Sequence, residues 1–185
     1  VVRLVMDAVQ HIRINLRWKA IEDENIAIKQ AKQNGEKYYS PILANGDTLK
    51  ELLVRSRYLL YKYETDWTAN QAKRAAILFE KYPALKTAYQ LTLTFRNIYK
   101  NASKTQALIE FNNWKQKVIT AQIDEFNTVV NSIDHHLDNI MNFFDNRSTN
   151  ANAESFNSKI KGFRANLRGV TDVKFFLFRL EKLFA

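Results

Sequence analysis

Thr68-Ala69-Asn70-Gln71-Ala72-Lys73-Arg74-Ala75-Ala76-Ile77-Leu78-Phe79-Glu80-Lys81-Tyr82-Pro83 sets the architecture of the chain. Thr68 and Gln71 have the spacing of a capping box, in which an N-cap hydroxyl and an N3 amide satisfy two otherwise unpaired backbone N–H groups. The helix they open runs through Ala75, Leu78 and Phe79 to Tyr82. Pro83 suits the first turn of another helix, where its missing N–H costs nothing, and that helix ends near Lys100. Two helices joined without a loop predict a helical chain.

The pattern extends both ways. Upstream, Val2, Val5, Val9, Ile12 and Leu16 follow 3-4 spacing, Ile21 and Ile28 continue the apolar face past Glu22-Asp23-Glu24, and Gly35 is the stop. Glu36 to Gly46, with Pro41 and Asn45-Gly46, is the longest loop candidate. Asp47 or Thr48 caps a helix carrying Leu49, Leu52, Leu53, Leu59 and Leu60. Downstream, Ser103 caps a helix through Leu108, Phe111, Trp114 and Val118. A long stripe from Phe126 through Val130, Ile133, Leu137 and Ile140 to Phe144 predicts one helix over Asp124 to Phe144. The polar run Asp145 to Asn150 breaks it, and two closing helices follow, Ala151 to Arg168 and Thr171 to Phe184, separated at Gly169. The expected fold is an all-α bundle of about seven or eight helices.

Composition agrees. Only 4 Gly and 2 Pro interrupt 185 residues, whereas a sandwich or barrel needs turn chemistry every ~8–12 residues. Cysteine is absent, which excludes disulfides and thiolate metal sites and fits a reducing, cytoplasmic setting. No apolar run approaches the roughly 20 residues of a membrane span. The first residues carry no initiator Met and no signal-peptide pattern, and they open inside an amphipathic segment, as expected of a piece of a longer protein. A surplus of 28 Lys and Arg over 19 Asp and Glu, net +9, favours a polyanionic partner such as nucleic acid. A basic domain without such a partner carries the same surplus.

The chemistry concentrates between Phe143 and Lys161. Ala153, Phe156, Ile160, Phe163 and Leu167 form one helical stripe, expected to be buried. Glu154, Asn157, Lys161, Arg164 and Arg168 form a second, one residue later and therefore about 100° round the helix. A carboxylate heading a row of cations suits a metal ligand beside a phosphate backbone, because Mg²⁺ prefers oxygen ligands and shares them with phosphates and water. Spacing alone favours the plainer reading, a first-turn carboxylate complementing the helix dipole. From Arg147 to Ala185 eight cations face three acids, +5 of the chain's +9, which places the basic surplus on this side.

Asn150-Ala151-Asn152-Ala153-Glu154-Ser155-Phe156-Asn157-Ser158-Lys159-Ile160-Lys161, then Arg164 and Arg168-Gly169, resembles the closing motif of insertion-sequence DDE transposases, Asn-x-x-x-Glu-x-x-Asn-x-x-Ile-Lys followed by Arg, Gly and an aromatic-rich last helix, here Asp172 to Leu180. The first helix, with Ala8, Val9, Arg13, Arg17 and Trp18-Lys19-Ala20-Ile21-Glu22, is similar to the segment just after that family's second catalytic aspartate. The resemblance implies an RNase H-like core whose strands lie outside this chain, with residues 1–146 as its helical insertion region and 147–185 as its C-terminal helices. It implies Glu154 as the last catalytic, metal-binding acid, and Asn157, Lys161, Arg164 and Arg168 as DNA contacts. The intact enzyme would use Mg²⁺ or Mn²⁺ to cleave and transfer strands at insertion-sequence ends and target DNA. The chain alone would be inactive and bind no metal, because the first two aspartates belong upstream of Val1. Its last helices could pair with another copy. The reading from another class is a non-catalytic helical DNA-binding or assembly module.

His135-His136 with Asp134 and Asp138 invites a metal reading, but neighbours on a helix point about 100° apart, which favours a solvated face. No phosphate-binding loop or nucleophile elbow occurs. Trp18, Trp67 and Trp114 read as core anchors, with base stacking open to any that is exposed. Tyr38, Tyr39, Tyr58, Tyr61 and Tyr63 interleave with Lys37, Arg55, Arg57 and Lys62. That mixture suits cations snorkelling over an apolar helix, and also a DNA-facing strip.

Overall fold

The computed structural model describes residues 1–101, 103–146, 151–166 and 172–184. Among them every regular element is helical, apart from a single bridge between Ile42 and Thr48. Two compact units emerge, Val1–Asp145 and Asn146–Ala185.

In the first unit α1 (Val2–Gln33) is the axis, roughly 48 Å long at 1.5 Å per residue. It packs against α2 (Leu49–Arg55), α4 (Pro83–Ile98) and α6 (Asp124–His135). Between α2 and α4, α3 (Ala69–Lys81) lies against both; α5 (Lys104–Ala121) joins α4 to α6 and to α7 (Leu137–Met141), which precedes α8 (Phe143–Asn146). The capping box at Thr68 and Gln71 is present, a second one joins Thr48 to Glu51, and Pro83 opens α4. Gly35, at φ +73°, follows α1 in the left-handed conformation that favours glycine.

The core centres on Trp114. Its indole is fully buried, donates from Nε1 to the Leu91 carbonyl at 2.9 Å, and lies 4.8 Å from the Phe95 ring and 5.8 Å from Phe111. Such offset and tilted pairs add to area burial. Trp67 also anchors, donating to the Leu59 carbonyl at 2.9 Å and stacking on Tyr89. Trp18 does not: its side chain is 61% exposed.

Further expectations change. The buried residues of α1 all lie between Val5 and Ala20, and Ile28 is exposed. Beyond Ala20 the helix meets the 36–48 loop, where Glu24 accepts from Ser40 and pairs with Lys50. Next, α2 stops at Arg55, and Leu59–Tyr61 forms a 3₁₀ turn. The cause is visible: Arg13 Nη1 takes the Leu53 carbonyl at 2.7 Å, and the Arg57 amide, which would have used it, bonds back only to Val54. On α5 the exposed residue is Leu108, and Ala107 fills the buried position.

The Asp124–Phe144 stripe is buried as a series of short helices rather than one, broken at His136 (φ −113°, ψ 15°) and Asn142. Adjacent side chains on a straight helix diverge by about 100°. Phe143 and Phe144, both on α8, nonetheless lie against the same ring, Tyr99, at 5.4 and 5.8 Å.

In the second unit α9 (Ala151–Asn166) packs against α10 (Val173–Phe184). Asp172 caps α10, accepting from the Lys174 and Phe175 amides at 2.9 and 3.1 Å. Phe163 meets Phe176 at 5.7 Å. The expected buried stripe of α9 is only partly so: Ile160 and Phe163 are half-buried and Phe156 is 43% exposed. Two helices offer too little partner surface to enclose it. The side chain of Ala153, and Leu167 and Gly169, lie outside the described residues.

Candidate functional site

Glu154 stands on the first turn of α9, where its negative charge faces the positive end of the helix dipole. Its side chain is exposed. Asn157, Lys161 and Arg164 follow at steps of three, four and three residues, all exposed, with Arg164 in the last turn near the negative end of the dipole. Helical spacing of this kind stacks side chains along one face. The face therefore offers one hard oxygen donor, one amide able to donate and accept, and two cationic side chains. Arg168 lies outside the described residues.

One carboxylate does not hold a pair of metals, which takes several acids around ions ~3.5–4 Å apart. Among the described residues no group of three or more His, Cys, Asp or Glu is placed to hold a metal ion. Asp47, expected at a cap, is instead a buried ionic node, paired with Arg55 and with Arg74 Nε at 2.8 Å. His135 and His136 are both exposed, their rings edge to face at 4.8 Å because the helix ends between them. Asp134 is taken by Lys115.

A family model of the ISL3 group of DDE transposases, described as Transposase, matches residues 1–180. The chain belongs to this transposase family. Searches of curated proteins and of solved structures gave no match. Membership ties the chain to transposition, and transposases act on DNA and generally use divalent metal ions. No described helix is long and apolar enough to cross a membrane.

The tyrosine and cation strip of this transposase chain is divided. Arg55 is committed to Asp47, and Lys62 donates to Gln71 Oε1 at 3.2 Å. Lys37 lies over the Tyr39 ring and Arg57 over Tyr58, while Tyr63 carries Arg96 at 4.0 Å and Lys100 at 4.8 Å. Sequence reasoning missed one constellation, the meeting of Arg57 with Arg13 and Arg17 around a concavity. The four-residue spacing of Arg13 and Arg17 signals two cations on one face of α1; Arg57 comes from the turn after α2, which no local pattern could place.

Proposed function

We propose that this chain is the C-terminal part of a DDE transposase, in which Glu154 supplies the last acid of the active site. The strands and remaining acids of an RNase H-like core would come from the rest of the enzyme. Glu154 would ligate Mg²⁺ or Mn²⁺ through its carboxylate, as hard cations prefer. When bound, the ions would supply activation of the attacking oxygen and stabilisation of the leaving one. Asn157, Lys161, Arg164 and Arg168 would hold the sugar-phosphate backbone so that the scissile phosphate lies beside Glu154, with arginine adding bidentate phosphate geometry. The intact protein would free a 3′-hydroxyl at each insertion-sequence end and direct it at a target phosphodiester.

The observation that supports this reading is the exposed α9 face, where Glu154 precedes Asn157, Lys161 and Arg164 at helical spacing. An exposed acid is open to a metal ion, and the cations beside it can hold a phosphate backbone. The test is Glu154→Gln in the intact transposase, an isosteric change that removes the charge. Donor-strand cleavage should fall to background while binding to the insertion-sequence ends persists. Cleavage at the wild-type rate would remove Glu154 from the site.

A further inference from the structure

The first unit holds a concavity of about 490 Å³ lined by Gln10, Arg13, Arg17, Trp18, Arg57 and Tyr61, among others. We propose that it binds a backbone phosphate of unpaired DNA, with the adjoining base stacked on the Trp18 indole. The site would extend the DNA-processing role argued above to a second strand contact, and it rests on that reading for its choice of DNA as the anion.

Three guanidiniums converge here without a carboxylate partner: among the described residues none of Arg13, Arg17 and Arg57 makes a salt bridge. Asp7, on the rim with His11, is paired with Arg3 at 3.6 Å. Arg13 is buried and locked, donating from Nε to Gln10 Oε1 and from Nη1 to the Leu53 carbonyl, both at 2.7 Å. Its burial, then the charges of Arg57 and Arg17, lower its proton affinity from the ordinary guanidinium value. Gathering like charges costs stability, and an anion seated among them reverses the sign of that term. Arg17 carries the second signature. Its Nε is buried without a hydrogen-bond partner, so this guanidinium is not tied to the protein as Arg13 is.

The aromatic part selects among anions. Trp18 is 61% exposed and the Arg17 guanidinium lies over its ring, 5.8 Å from the centroid, so a phosphate fork and an exposed indole are immediate neighbours. Single-stranded nucleic acid takes this pairing, because every unstacked base has a π-face and every nucleotide a phosphate. A paired duplex keeps its bases stacked internally and cannot offer one. A free phosphate fills the cationic half alone. The volume lies within the range of small-ligand sites.

The experiment titrates the 185-residue chain with a short oligothymidylate while following tryptophan emission and, separately, anisotropy of the labelled oligonucleotide. Trp114 is buried and Trp67 half-buried, so quenching reports Trp18. Wild type should show saturable quenching, which Trp18→Phe abolishes. Trp18→Ala should weaken binding about tenfold. Arg17→Gln should weaken it similarly and lower the log–log salt slope by about 0.7. Neither change removes a bond that the fold uses, and the wild-type quench needs no variant. Absence of quenching, or variants binding as tightly as wild type, overturns the proposal. Quenching by inorganic phosphate but not by oligothymidylate overturns it too, making the site one for free anions. The two readings fail separately. Binding lost in Lys161→Ala/Arg164→Ala but kept in Arg17→Gln sinks the pocket alone. Intact Glu154→Gln that still cleaves, with Trp18 quenching preserved, sinks the active-site assignment alone.

Discussion

Arg74, on α3, donates from Nε to the buried carboxylate of Asp47 at 2.8 Å, across 27 residues of sequence. Arg55 on α2 reaches the other oxygen of the same carboxylate, so one acid ties the loop entering α2 to two helices. Removing it would leave the largely buried Arg74 without its carboxylate, while Arg55 keeps Glu51. Asp47→Ala should lower unfolding free energy by about 2–3 kcal/mol, measured by urea denaturation at neutral pH.

The same carboxylate makes stability depend on pH. Burial pushes the Asp47 carboxyl up, but the hydrogen bonds from Arg74 and Arg55 outweigh it and hold it below the ordinary range. Glu24 is held low as well, by hydrogen bonds from Lys50 and Ser40. Carboxyls with depressed folded-state values contribute fully above the unfolded value, near 4, and lose that contribution as pH falls through the folded one. Denaturation midpoints should therefore be flat from neutrality to about pH 5 and then fall. Asp47→Asn should start lower and fall less steeply. Equal slopes for both proteins would contradict the assignment.

Capping gives a smaller, local effect. Thr68 Oγ1 accepts from the Gln71 amide at 3.3 Å while Gln71 Oε1 accepts from the Thr68 amide at 3.1 Å. Thr68→Ala should cost about 1 kcal/mol and leave the other helices intact, by circular dichroism and urea titration.

At the core, Trp114→Ala should cost about 3–5 kcal/mol, since it removes the ring that Phe95, Phe111 and Phe126 share and leaves the Leu91 carbonyl without its donor. Thermal melting would register it as the largest loss among these variants.

These variants also mark how far the sequence was legible. Thr68, Gln71 and Pro83 act within one turn of themselves, so their roles follow from spacing. Asp47 does not: a short acid after Asn-Gly reads as a cap, and its true partner, Arg74, is 27 residues away. Phe156 fits an apolar position in pattern but remains exposed, because a helical stripe says which face is apolar and not whether another element covers it; Trp18, expected to be a core anchor from its residue type, lies off the α1 stripe and is exposed. The Glu154 face was legible for the opposite reason. Its described members, Glu154, Asn157, Lys161 and Arg164, share one helix, and an outward face needs no partner to be placed.

If the α9 cations meet DNA, their removal has a salt signature. Lys161→Ala and Arg164→Ala should each reduce the slope of log affinity against log salt by about 0.9 on duplex DNA, uniformly across sequences. Unchanged slopes in both would separate this face from the phosphate backbone.

The assignment of Glu154 is tested most directly by single-turnover strand cleavage in the intact transposase as magnesium is titrated. Glu154→Asp, which keeps the charge on a shorter arm, should cleave slowly and demand more magnesium, and Glu154→Gln should not cleave at any concentration although it still binds the ends. Cleavage by Glu154→Gln with the wild-type rate and magnesium dependence would contradict the account.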